Sequence, residues 1–257
     1  RLAEIMTQRQ DARLTRTLVN RLWQRFMGRG LIEPVDEMEK TAWDPDLLDW
    51  LAEDFAAHNY DTKHLIRQIL TSRAYQLPTV NLGEQHQQGF VFHGPAVRRL
   101  SAEQFRDALT CLTGAGYSSP AVEINPSLTA RLAGASPESV RAALVAADPL
   151  LVALARPNRE QVVTTRPTAA TTLQALELTN GETLADLLKR GAANLLATST
   201  ATQVDLVATL YEKALGRKPT GPELEVAREI IGQPVQPAGM EDFLWGMIML
   251  PEFQLIY

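Results

Sequence analysis

Seven polar residues stand beside apolar helix stripes, where burial would give them something to do: Asn20, Arg21, Arg99, Arg106, Asp107, Arg166 and Asn180. A planar guanidinium grips a carboxylate or a phosphate through two parallel N–H bonds. Asn20 and Arg21 with Arg99, Arg106 and Asp107 can therefore line a cleft that clamps an anion. The same geometry makes a structural tie inside a protein, and that reading is preferred. Arg166-Pro167 and Asn180-Gly181 flank a helical stretch, with Gln174 inside it, and read as its end caps, a ligand role being the alternative.

The remaining chemistry-bearing residues are sparse. The four histidines are His58, His64, His86 and His93, and none forms HExxH or another ligand pair. His58 and His64 are six apart and would sit on different faces of one helix, so no metal site is expected. No GxSxG elbow, no GxxxxGK[ST] phosphate loop and no GxGxxG in a strand-to-helix setting occurs. Carboxylates are abundant enough that a pair for glycosidic or ester hydrolysis can always be imagined, which makes abundance uninformative. The lone Cys111 excludes an internal disulfide, a CxxC redox pair and CxxCH haem attachment, so no cofactor is expected in this stretch. Whether the chain is an enzyme stays open.

Charge narrows the partners. A net charge of −5 disfavours a general nucleic-acid binder, which needs a basic face to displace counterions. Locally the chain is polarised: residues 1–30 hold seven arginines against Glu4 and Asp11, and residues 31–61 hold ten acids against Lys40. Arg9, Arg13 and Arg16 could bind an acidic polymer, but pairing with the acids that follow is the simpler expectation.

The elements that must position these residues are helical. Leu14, Leu18, Val19, Leu22, Trp23 and Phe26 share one arc of a helix over 4–27. Asp44-Pro45 starts a second helix with Leu47, Leu48, Leu51 and Phe55 inward and Asp46, Asp49 and Glu53 outward. Asp61 caps a third, and Ser101 with Gln104 forms a capping box for a fourth that Gly114 ends. Helical signal returns from Thr171, breaks at Asn180-Gly181 and resumes over 182–196. Thr202 with Asp205 and Thr220 with Glu223 then open helices at 203–215 and 221–231. The last helix, 240–250, is apolar nearly all round and so is either central in the core or covered by a partner. Its apolar run from Phe243 to Leu250 is far below the roughly 18 residues that span a bilayer.

The expected fold is mainly α, a multi-helix orthogonal bundle with an irregular, partly β middle region. Composition, 45% hydrophobic and 21% charged, suits one folded domain over 1–257. Within it the N-terminal bundle is 1–75, a capped helix and irregular region occupy 76–170, and the C-terminal helices fill 171–257. In the irregular part, Arg141 to Val145 reads equally as strand or helix. The chain starts at Arg1 without a basic-then-apolar leader, as expected of the C-terminal part of a longer protein.

Several stretches, in order, resemble a known family. They are Val19-Asn20-Arg21-Leu22-Trp23, Phe26-Met27-Gly28-Arg29-Gly30-Leu31, Asp46-Leu47-Leu48-Asp49-Trp50-Leu51-Ala52 and Ser72-Arg73-Ala74-Tyr75. Further on come Arg98-Arg99-Leu100-Ser101-Ala102-Glu103-Gln104, Arg106-Asp107-Ala108-Leu109, Arg156-Pro157-Asn158-Arg159, Thr172-Leu173-Gln174-Ala175-Leu176 and Ala214-Leu215-Gly216-Arg217-Lys218-Pro219-Thr220. Together they are similar to the C-terminal domain of planctomycetal cytochrome-c-associated proteins, a family of unknown function. Trp43-Asp44-Pro45 departs from the glycine- and serine-rich loop of many members. The resemblance implies large exported, extracytoplasmic proteins with a c-type cytochrome module and a second domain often preceding this one. A c-type haem would then lie elsewhere in the full-length protein.

Two functions follow as expectations. One is a helical interaction or scaffold domain that packs on a cytochrome c-type or other domain of the same protein, or on a protein partner, through Phe243, Trp245, Met247 and Phe253. The other is a hydrolase or polysaccharide-active enzyme whose Arg/Asp-lined cleft uses Arg21, Arg99 and Asp107. Neither nucleic acid nor a membrane span is expected.

Overall fold

The computed structural model describes residues 12–81, 90–116, 140–158, 163, 166, 170–198 and 203–257. Arg9, His86, Arg159, Pro167, the Thr202 half of a capping box and residues 4–11 of the first helix lie outside the described residues. The fold is mainly α, as the periodicity predicts. The chain divides into two compact units, 1–98 with Tyr257 and 99–256. Each unit has its own apolar core, because the helix stripes within each find partners nearby in sequence.

The first unit holds α1 (Ala12–Met27), α2 (Pro45–Ala57) and α3 (Thr62–Thr71). Val19, Trp23 and Met27 of α1 pack with Leu48, Leu51 and Phe55 of α2 and with Leu65 and Ile69 of α3. Local chemistry sets each end. The Asp44 side chain accepts from the Leu47 N–H ahead of Pro45, and the Asp61 side chain accepts from the N–H groups of Lys63 and His64. At Gly28, φ is +81° and a Cβ would run into Ala96, so only glycine closes α1 there. The loop that follows is not a surface loop: Leu31, Ile32 and Val35 are buried in it.

The second unit holds α4 (Ala102–Thr113), α5 (Pro149–Ala153), α6 (Thr172–Asn180), α7 (Glu182–Thr198), α8 (Gln203–Leu215), α9 (Gly221–Ile231), α10 (Pro237–Met249) and α11 (Pro251–Gln254). Both complete capping boxes read from sequence are formed, Ser101 with Gln104 and Thr220 with Glu223. Gly114 ends α4 in the left-handed conformation, φ 71°. In the middle region Ala142–Leu144 is a 3-10 turn leading to α5, so the strand alternative for 141–145 gives way to helix-like turns. Strand structure among the described residues amounts to the two-residue Arg98–Arg99 and Leu255–Ile256.

Helix α10 is the centre of this unit. Met240, Leu244 and Ile248 are each 0% exposed, between α7 on one side and α9 on the other. The approach to α9 is close enough that a Cβ on Gly239 would strike the Ile230 carbonyl. Of the two readings of an all-apolar helix, the core one therefore holds. Among the described residues, no helix is long and apolar enough to cross a membrane.

Replacing Leu244 by Ala removes a fully buried side chain that rigid neighbours cannot collapse onto. A loss of about 2–5 kcal/mol in urea unfolding is expected; a loss under about 1 kcal/mol would show that α10 is not the core helix.

Candidate functional site

Asn20 is buried, at 0% exposed, and completely used. Its Nδ2 donates to the carbonyls of Ile32 and Val35 at 3.0 and 2.9 Å, and its Oδ1 accepts from the Ile32 N–H at 3.0 Å. The amide thus pins the loop after α1 and faces no cleft. The next residue, Arg21, donates from Nε to Asp36 at 2.7 Å and pairs through Nη2 at 2.6 Å. Arg13 with Glu39 (2.6 Å) and Arg16 with Asp49 (3.2 Å) complete the pairing of the basic helix with the acids that follow it.

Arg99, Arg106, Asp107 and Arg166 belong to the second unit, and each takes a different partner. Arg99 donates to Gln174 Oε1 at 2.9 Å, and Arg106, 1% exposed within α4, donates to the Thr110 hydroxyl at 3.2 Å. Asp107 Oδ1 accepts from the Ala142 N–H at 2.8 Å, so it serves as the cap of the 3-10 turn. Arg166 grips Glu103 with two bonds, at 2.5 and 3.0 Å. Buried Arg156, from a stretch the family motifs include, approaches the same carboxylate at 3.8 Å and donates to the Ala143 carbonyl at 3.2 Å. Burial pushes Glu103 up, but the bonds from Arg166 and its neighbours outweigh this and hold it below the usual glutamate range.

The caps assigned to Arg166 and Asn180 are made by others. The Thr171 side chain accepts from the Gln174 N–H at the start of α6, and the Gly181 N–H bonds to Glu177 O at its end. Asn180 is exposed at the last position of α6.

The interface expectation is corrected for three of its four residues. Phe243, Met247 and Phe253 are 5%, 3% and 5% exposed and belong to the core of the second unit, because they point along the buried arcs of α10 and α11. Trp245 alone is exposed, at 39%, and its indole N–H bonds to the Leu178 carbonyl at 2.9 Å. Beside it, α6 buries only Leu178 and presents Leu173 and Leu176 to the outside, 51% and 55% exposed. Spaced three apart, these two leucines share a face.

One cluster escapes any reading by spacing within a helix. Helix α2 ends at Ala57 and α3 starts at Thr62, and the chain reverses between them through Asn59 and Tyr60, both left-handed at φ 54° and 59°. That turn lays the His58 ring on the His64 ring, centroids 3.8 Å apart and planes within 17°. Both rings reach Asp54 of α2: His64 Nε2 lies 2.9 Å from Oδ2, and His58 Nδ1 lies 3.3 Å from Oδ1 and 2.9 Å from the Asp54 carbonyl. The i, i+4 spacing of Asp54 and His58 was a visible signal, but the third member needs the turn.

A cavity of about 10 Å³ lies among Trp23, Trp43, Phe90 and Phe92 of the first unit. It has room for roughly one water. Arg29 already covers one of its rings, 4.2 Å above Phe90.

Arg217 joins the Glu223 carboxylate (2.7 Å) to that of Glu252 (2.8 Å), tying the start of α9 to α11. Hydrogen bonds from Arg217 first, and then from the Thr220 backbone, hold Glu223 down at about 2.

Fold and sites together define a mainly α-helical protein in which Asn20, Asp107 and the arginines described close on its own chain. It belongs to the PSD1 family, described as a protein of unknown function (DUF1553), whose model matches residues 1–231. No curated protein and no solved structure matches it.

Two outcomes follow. Asn20→Ala strands buried groups of Ile32 and Val35 and should cost at least about 2 kcal/mol in unfolding free energy; Asn20→Asp, which accepts but cannot donate, should be no better. A glutamate lowered on folding adds stability that is complete above its ordinary range, about 4.3, and that vanishes as pH falls toward 2. In thermal melts the gap between wild type and Glu223→Gln should accordingly narrow over that window, and a gap independent of pH would contradict the pairing.

Proposed function

We propose that this chain is a helical interaction and scaffold domain of an exported protein, and that it docks on a c-type cytochrome module of the same polypeptide. The observation that carries the reading is α6, a helix with one buried residue in nine and two leucines turned outward, whose Leu178 carbonyl accepts from the half-exposed Trp245 indole. Apolar side chains grouped on a surface mark association sites in soluble proteins. The ordered series of family motifs supports the cytochrome-bearing, extracytoplasmic setting. Asn20, Arg21, Arg99, Arg106, Asp107 and Arg166 are engaged in ties and caps within the chain, which supports a structural use of the fold.

Removal of residues 240–257 would strip the core and test nothing but folding. The informative comparison uses the chain and the separately produced cytochrome module, mixed and followed by analytical ultracentrifugation. Association is expected, weakened at least about tenfold by Leu173→Glu with Leu176→Glu, while circular dichroism stays unchanged. No association, or equal affinity of the double variant, would overturn the proposal.

A further inference from the structure

We infer that Asp54, His58 and His64 form a binding site for a divalent transition-metal ion of the Zn²⁺ class. The ligand set is the right kind: two imidazoles and one carboxylate suit borderline ions, whereas Mg²⁺ and Ca²⁺ prefer oxygen alone. Dimensions agree as well. Ligand atoms about 2.0–2.1 Å from a tetrahedral ion stand about 3.3 Å from one another. Here Asp54 Oδ2 lies 2.9 Å from His64 Nε2 and Oδ1 lies 3.3 Å from His58 Nδ1, and one ligand atom from each of the three lies within 4.8 Å of the others, near enough for side-chain rotation to gather them on one ion.

The two rings share one carboxylate, that of Asp54, which is 19% exposed, and His58 Nδ1 also lies 2.9 Å from the Asp54 carbonyl. The second ring, 48% exposed on His58, has no side-chain partner among the described residues other than Asp54 and His64. Metal binding takes the ring nitrogens that face Asp54 as lone-pair donors, their protons passing to the other ring nitrogen or to solvent. Binding would turn His58, 48% exposed, out of its 17° stack on His64 so that both lone pairs meet at one point. Three protein ligands leave the fourth tetrahedral position to water. The ion also joins the end of α2 to the first turn of α3, so it closes the hairpin that Asn59 and Tyr60 reverse.

The test is calorimetric titration of the chelator-stripped chain with ZnCl₂, repeated with MgCl₂ and paired with thermal melts. Wild type should bind one Zn²⁺ saturably, melt at higher temperature as Zn²⁺ rises and ignore Mg²⁺. His58→Ala, His64→Ala and Asp54→Asn, each shown by circular dichroism to be folded, should lose at least about tenfold in affinity. His93→Ala, a change at an exposed histidine outside the cluster, should bind as wild type does. His58→Gln covers the case in which a variant fails to fold, since His58 is half exposed. Absence of saturable Zn²⁺ binding by wild type, or undiminished affinity in folded His58 and His64 variants, would overturn the site.

Discussion

A buried primary amide must satisfy two donors and an oxygen without water, and Asn20 does so on one loop. Its bonds to Ile32 and Val35 draw Leu31, Ile32 and Val35 inward, so a segment that would otherwise run over the surface becomes part of the core. Further bonds hang on that placement. The Trp43 N–H reaches the Leu31 carbonyl at 3.0 Å, and its indole reaches Gly30 at 3.1 Å. Asp44 is thereby set to cap α2, and α2 carries the aspartate that meets Arg16 of α1 and the aspartate that meets two histidines. Polar satisfaction at one atom group thus sets the frame for the first unit.

In the second unit the corresponding constraint is apolar. A helix as uniformly hydrophobic as α10 has to be surrounded, and α7 and α9 with the end of the chain surround it. Polar chemistry then moves to the margins, as caps and clamps: Asp107 on the 3-10 turn, Glu103 between Arg156 and Arg166, and Arg217 between two glutamates. An arginine that holds a half-buried carboxylate on its own chain is a tie before it is a ligand site. What such a body offers to others is the surface its core does not consume, and in this unit that includes the outer face of α6.

Much of this was legible from residue patterns because the signals are local. Asp44-Pro45, Ser101 with Gln104, Thr220 with Glu223 and Gly114 act within a few residues of themselves, and each fixes the helix end that its chemistry demands. Partner identity is a different matter. That Asp107 would cap Ala142, or Arg166 grip Glu103, depends on chain reversals that periodicity does not encode. Phe243, Met247 and Phe253 looked like a partner surface because a stripe of apolar residues has the same pattern whether the covering comes from the same chain or another. The histidine pair shows the limit most plainly: a wheel drawn through residues 58 to 64 separates the two rings, and two left-handed residues bring them face to face.

The most direct measurement is native-state hydrogen exchange at the Ile32 amide. It lies in a loop, so without the asparagine bond it would exchange at the rate of mobile surface chain. If the buried amide of Asn20 frames the unit, Ile32 will exchange as slowly as the central amides of α1, through global unfolding. Exchange at loop rates while α1 stays protected would contradict the account.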